Sequence, residues 1–219
     1  MPVTHFPPDA IKAALKHLKS SDPILATVIE QVGDFTLQLE KSKYRILVRS
    51  IISQQLSTKA ARTIRQRLEA TIKPKRVTPE NIAGITDEQM RTAGLSRQKI
   101  TYMRDLTDRV VDGRLKLNKL TSLDDEDVIA ELIQVKGIGR WTAQMFLMFC
   151  LGRLDVFPVD DWGIRSNIRN LYGFDEMPNK AQCLEVSEPW HPYASIASWY
   201  CWRSGDVEEV KTPGAEYPV

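Results

Sequence analysis

Residues 132–163, LIQVKGIGRWTAQMFLMFCLGRLDVFPVDDWG, set the tightest limit on what this chain can fold into. They read as the end of an apolar helix, a Gly-x-Gly turn at Gly137 and Gly139, a second apolar helix, a short loop and the paired aspartates Asp160 and Asp161. Two glycines one residue apart relieve the steric limits on a turn and let another backbone approach closely. The N–H groups of Gly139, Arg140, Trp141 and Thr142 then stand at the open start of a helix, where they lack intrahelical partners and form an anion site. Lys136 and Arg140 add positive charge at its rim. The same pattern also suits a tight helical corner with no ligand.

The rest of the chain repeats helix punctuation and offers no pair of alternating runs, which predicts an all-α fold of roughly ten helices. After a loose arm over residues 1–8, a helix runs to about residue 20, and Asp22-Pro23 opens a second that Gly33 ends. Phe35 to Leu39 is extended or loop. Residues 43–54 are apolar around most of the circumference and predict a buried helix. Ser57 caps a basic helix over 58–72, and Thr78-Pro79-Glu80 opens a short one. Thr86 and Gln89 form a capping box for another, which Gly94 stops. Ser96 caps an amphipathic helix to about Asp112, with Ile100, Met103, Leu106, Val110 and Val111 inward. Residues 120–134 predict one helix with an acidic first turn. Helices over 160–171 and 192–203 follow, and the tail after Gly205 is expected to fray.

Composition narrows the class without naming a ligand. With 219 residues, 42% hydrophobic and 26% charged, the chain suits a soluble globular protein with a proper core. A net charge of +2 neither demands nor excludes nucleic acid, because backbone N–H groups and local patches can hold it. Lys59, Arg62, Arg97, Lys99, Arg140, Arg165 and Arg169 are candidates for a DNA-facing rim. Three spaced cysteines argue against a disulfide framework and for a reducing compartment. The three histidines lack ligand spacing. No apolar leader region is read at the N-terminus, and the apolar run 145–151 is too short to span a membrane.

The extended pattern L-x-x-V-x-G-I-G-x-x-T-A, with helix on both sides, resembles the helix-hairpin-helix DNA-binding motif. That hairpin and the Pro158-x-Asp160-Asp161 step about twenty residues further on resemble the helix-hairpin-helix superfamily of base-excision DNA glycosylases. The similarity is strongest to the branch that removes alkylated bases, the 3-methyladenine DNA glycosylase II type. Its carriers are Ser53-Gln54-Gln55-Leu56-Ser57, VKGIGRWTA from Val135, VFPVDDW from Val156 and the Trp199-Tyr200 pair, across residues 40–205.

The resemblance implies one compact, two-lobed helical fold with the active site in the cleft between lobes. One lobe is expected from residues 1–40 plus 160–219, the other from 45–155 with the hairpin motif at 125–150. It implies Asp161 as the catalytic group, with Asp160 a helix cap or structural partner. The resemblance further implies that Lys136, Gly137, Gly139, Arg140 and Thr142 bind a DNA phosphate and that the carbonyls of Ile133, Val135 and Gly137 would hold a monovalent cation, Na+ or K+. Gln55, with Gln54 beside it, takes the position of the wedge that fills the stack when a base is flipped. Many alkyl-removing members have an apolar wedge, so Gln is a departure that can instead hydrogen-bond the orphaned base. Trp141, Trp162 and Trp199, with Met145, fall at base-pocket positions, although each tryptophan alone reads equally as core. Trp141 also stands where strand-nicking relatives carry a lysine, which implies base release without strand cleavage. Cys183 and Cys201 cannot supply the four ligands of an iron–sulfur cluster, so no such cofactor is expected. The expected partner is double-stranded DNA containing alkylated bases, bound by a monomer, with no membrane. The location is the cytoplasm with the nucleoid in a bacterium, or the nucleus in a eukaryote.

The chemistry is consistent from first principles. Breaking an N-glycosidic bond builds oxocarbenium character on the sugar, which a nearby carboxylate stabilises while it positions water. The base must leave the stack, which costs least for damaged bases. N3-methyladenine and N7-methylguanine are cationic, so aromatic walls attract them and they leave without a strong general acid. The alternatives are a glycosylase for uracil, oxidised purines or etheno-adenine, a non-catalytic hairpin DNA binder, and a helical protein-interaction scaffold.

Overall fold

The structure is a computed structural model that describes residues 6–72 and 76–205. The first five residues of the expected arm and the tail beyond Gly205 lie outside these. Among the described residues there are twelve α-helices and no strand. The described residues form two compact units: 6–41 together with 147–205, and Ser42–Phe146. The break after Phe146 falls earlier than the lobe boundary expected near residues 155–160.

The unit Ser42–Phe146 is built around α3 (Lys43–Ser53). Tyr44, Ile46, Leu47, Val48, Ile51 and Ile52 are all buried because α3 packs against α4 (Thr58–Thr71), α7 (Arg97–Val111) and α9 (Arg140–Phe146). The Tyr44 hydroxyl lies 2.7 Å from Thr107 Oγ1, and the Thr107 proton goes to the Met103 carbonyl, so Tyr44 is the donor. The helix starts follow the capping residues. Ser57, Thr86 and Ser96 accept from Ala60, Gln89 and Lys99 N–H, at the heads of α4, α6 (Asp87–Ala93) and α7. Each such cap stabilises its helix by about 1 kcal/mol. α5 (Pro79–Ala83) and α6 pack on α7.

Two expectations fail here. The single helix over 120–134 is a 3-10 turn, Lys119–Ser122, followed by α8 (Asp125–Leu132). Leu123 and Asp124 are extended between them, because consecutive acids favour a helix start over a helix interior. Val111 at the end of α7 is 58% exposed rather than inward.

In the other unit, Asp22 joins α1 (Pro8–Ser21) to α2 (Pro23–Val32). Its Oδ1 accepts from Ile24 and Leu25 N–H at 3.0 Å, and its Oδ2 accepts from Trp190 Nε1–H at 2.8 Å and from the Tyr172 hydroxyl. Every acceptor duty of this buried carboxylate is thus met, as burial requires. Leu147–Leu151 is a π-helical turn. α10 (Trp162–Tyr172), α11 (Lys180–Ser187) and α12 (Ala194–Ser204) complete the unit, with α12 packed on α2 and α10.

Candidate active site

The hairpin is the loop between α8 and α9. Gly137 has φ +79° and a Cβ there would stand 2.1 Å from the Tyr102 ring. Both the backbone conformation and the packing therefore demand glycine at 137. Gly139 is different: a Cβ there would meet nothing within 4 Å. The space above Gly139 is open for an approaching backbone. Its carbonyl accepts from Ala143 N–H at 3.1 Å, so Gly139 stands at the N-cap position, just before α9. Thr142 is buried, so its hydroxyl is not presented at the hairpin surface. Lys136 N–H donates to Asp105 Oδ2 at 2.9 Å, which anchors the hairpin entry to α7. Partial burial works to raise the Asp105 carboxyl, but the Lys136 N–H bond and the Arg109 pair together outweigh it and hold it below the usual carboxylate range. The Arg140 guanidinium forms a two-pronged pair with Glu126 in the first turn of α8. Arg140 therefore braces the hairpin flanks, and as an exposed pair this adds little stability.

The carbonyls of Val135 and Gly137 already accept one hydrogen bond each, from Ile138 N–H at 3.0 Å and Gln54 Nε2–H at 2.7 Å. A carbonyl oxygen has two lone pairs, so neutral oxygens at 133, 135 and 137 remain a donor set that suits a hard monovalent ion.

The turn between α3 and α4 holds Gln54 and Gln55 in different roles. Gln54 is turned to the hairpin through Gly137 and does not project as a wedge, which corrects its expected intercalating role. Gln55 is exposed and has φ +56°, the one non-glycine with positive φ among the described residues. Lys99, expected at a DNA rim, instead donates to the Ile52 and Gln54 carbonyls at 2.6 and 2.7 Å. Arg165 is likewise committed, donating twice to the Pro178 carbonyl.

Asp161 belongs to the other unit. It is the N-cap of α10: its Oδ1 accepts from Ile164 N–H at 2.8 Å and from Trp202 Nε1–H at 2.9 Å. It is 7% exposed. Asp160, expected as a helix cap or structural partner, is exposed and pairs with Lys180 at 2.6 Å. Of the two roles open to Asp160 it takes the pairing one, and the cap falls to Asp161, which also holds the enclosed position.

The tryptophans separate clearly. Trp199 is 1% exposed and edge-on to both Phe35 and Tyr200 at 4.8 Å. Trp202, three residues on, is the ring that touches the catalytic candidate, and it lies 5.8 Å from Phe149. Its signal in the sequence was weak: it stands one helical turn from Trp199, and only the packing of α12 decides which ring faces Asp161. Trp162 is 71% exposed at the start of α10. On α9, Trp141 is half-buried and Met145 fully buried. A cavity of about 520 Å³ between α6 and α7, lined by Asp87, Arg91, Arg97, Ile100, Thr101 and Arg104, contains none of the expected base-pocket residues.

An all-helical fold with a Gly-x-Gly hairpin between two helices, and a capping aspartate on a later helix, defines the class of helix-hairpin-helix proteins. Residues 48–192 match the HhH-GPD superfamily of base excision DNA repair proteins. DNA-3-methyladenine glycosylase 1 of Schizosaccharomyces pombe is 34% identical over 202 residues, covering 90% of this chain and 89% of that protein. The putative DNA-3-methyladenine glycosylase YfjP of Bacillus subtilis is 34% identical over 186 residues, 82% of this chain and 65% of that one. Among solved structures, the Schizosaccharomyces pombe 3-methyladenine DNA glycosylase in complex with abasic DNA has a TM-score of 0.80 at 33% identity, covering 88% of this chain and 96% of that one. DNA-3-methyladenine glycosidase from Bacillus halodurans has a TM-score of 0.79 at 35% identity, covering 96% and 95%. The chain belongs to the HhH-GPD superfamily of base excision DNA repair proteins.

Proposed function

We propose that this protein is a DNA glycosylase that hydrolyses the N-glycosidic bond of alkylated bases of the 3-methyladenine and 7-methylguanine type and leaves an abasic site. The observation that carries the reading is Asp161, an enclosed carboxylate fixed by α10 and by the indole of Trp202. A carboxylate fixed beforehand stabilises a developing oxocarbenium ion without reorganising, and this is commonly the largest single contribution to catalysis. Relatives named for 3-methyladenine glycosylase activity, aligned over most of their length, support the substrate class.

The proposed division of labour follows the residues. Gly139 and the amides after it grip a phosphate, and Gly137 shapes the turn. Ile133, Val135 and Gly137 would hold Na+ or K+, whose charge would strengthen the phosphate site. Gln55 enters the stack in place of the flipped nucleotide. Trp202 beside Asp161, with Trp162 exposed next to it, supplies aromatic surface suited to a cationic base. Trp141 offers no amine at the position that strand-nicking relatives use, so no lyase step follows base release.

The test is incubation with methylated duplex DNA and chromatography of the released bases, with and without subsequent alkali. The expected result is release of 3-methyladenine or 7-methylguanine and strand breaks only after alkali. Release of uracil or an oxidised purine alone would reassign the lesion, no release would leave a DNA-binding role, and breaks without alkali would overturn the reading of Trp141.

A further inference from the structure

We propose that Lys99 is a positioning residue: it holds the Gln55 turn against the phosphate hairpin, so that gripping the backbone and filling the base stack happen as one event. The inference rests on Gln55 entering the stack and on the hairpin gripping a phosphate.

The Gln55 turn needs holding. Its φ of +56° lies in a region that residues with a Cβ seldom occupy, and the last carbonyls of α3 lack helical partners. Lys99, the third residue of α7, meets both needs with two bonds, 2.6 Å to Ile52 O and 2.7 Å to Gln54 O. Those bonds place a positive charge at the negative end of the α3 dipole. Desolvation lowers the affinity of its ammonium for its proton, as expected of a half-buried lysine.

The same helix holds the hairpin. Tyr102, one turn beyond Lys99, packs its ring against Gly137 so closely that no side chain fits there. Gln98 donates to the Tyr102 hydroxyl at 2.6 Å. Gln54 closes the loop, its amide reaching the Gly137 carbonyl at 2.7 Å. Gln98, Lys99 and Tyr102 on the first two turns of α7 therefore connect, through Gln54, the two loops that would touch DNA, all within one compact unit. An intercalating side chain meets a restoring force from the stack it opens. A turn held only by its own backbone would yield, whereas a turn tied to a gripped phosphate transmits that load to the hairpin.

The experiment uses the full chain and a duplex with one 7-methylguanine flanked by 2-aminopurine, whose fluorescence rises on unstacking. Variants Lys99→Met, Lys99→Arg, Gln54→Met and Gln55→Ala are compared for single-turnover base release, fluorescence, affinity for undamaged duplex and melting temperature. Lys99→Met and Gln54→Met are each expected to slow release about tenfold or more and blunt the fluorescence rise. Affinity of Lys99→Met for undamaged duplex stays within about twofold, since no bond of the hairpin itself is touched. Lys99→Arg, which can donate to both carbonyls, recovers most of the rate. Lys99→Met combined with Gln55→Ala is no slower than Gln55→Ala alone, as expected if Lys99 acts through Gln55. The inference is overturned if the two losses multiply, if the duplex affinity of Lys99→Met falls in step with release, or if the defect vanishes well below each variant's melting temperature. Wild-type release by Gln55→Ala would remove the Gln55 assignment and the coupling with it. A real Gln55→Ala defect beside a normal Lys99→Met would refute the coupling alone.

Discussion

The two hairpin glycines are expected to fail in opposite ways when each is replaced by alanine. At Gly137, alanine must adopt φ +79°, a left-handed conformation that costs about 1–2 kcal/mol. Its methyl group would also stand 2.1 Å from Tyr102 Cδ2 and 2.4 Å from Cγ. Those atoms lie near the stem of the ring, so the clash cannot be relieved by swinging a flexible end, and forced repacking adds about 1–3 kcal/mol. The sum is about 2–5 kcal/mol, or roughly 4–20 °C in melting temperature for a chain of this size. At Gly139 the methyl meets nothing within 4 Å, so stability should change by no more than about 0.5 kcal/mol. That methyl does occupy the approach to the amides of α9. Losing a charge-assisted contact to phosphate there weakens duplex binding by about ten- to a hundredfold. The assays are thermal melting and titration of a labelled duplex at fixed salt. A Gly137→Ala protein that melts with the wild type, or a Gly139→Ala protein that binds duplex as well as the wild type, would refute the reasoning.

Two further predictions concern the unit that holds Asp161. Trp202→Phe removes the 2.9 Å donor to Asp161 Oδ1 while keeping an aromatic ring beside Phe149, and should slow single-turnover base release about tenfold with little change in melting. An unchanged rate would show that the indole is not needed to orient the carboxylate. Burial, with the charge of Asp34 adding, pushes the Tyr200 phenol up to about 12. A raised phenol pKa gives stability that is complete below the unfolded value of about 10 and is lost as pH rises through the folded value. Melting temperature should therefore fall between pH 10 and about 12 more steeply in the wild type than in Tyr200→Phe. Equal slopes would contradict that origin.

What the sequence revealed and what it hid follow the range of the forces involved. Helix starts were legible because a cap such as Ser57, Thr86 or Ser96 bonds an N–H three residues away. The Gly-x-Gly turn was legible for the same reason, though its two glycines look identical in sequence and only Tyr102, 35 positions from Gly137, gives them different duties. Lys99, Gln54 and Arg165 read as solvated or DNA-facing, because an unpaired carbonyl that attracts a side chain leaves no trace in composition. Asp160 and Asp161 were told apart as cap or structural partner and as catalyst from the resemblance, yet geometry gives Asp161 the cap as well, and one carboxylate can do both. Trp199 and Trp202 both lie on α12, and the neighbours of that helix, not its pattern, choose the ring beside Asp161.

The central claim is that the charge of Asp161 drives base release, and Asp161→Asn tests it most directly. Asparagine keeps an oxygen to accept from Ile164 N–H and Trp202 Nε1–H, so the cap and the fold should persist while the charge is lost. Single-turnover release of 7-methylguanine from methylated duplex is predicted to fall by about 10²–10³, with duplex affinity and melting temperature unchanged. Release at the wild-type rate by a folded, DNA-binding Asp161→Asn protein would contradict the account.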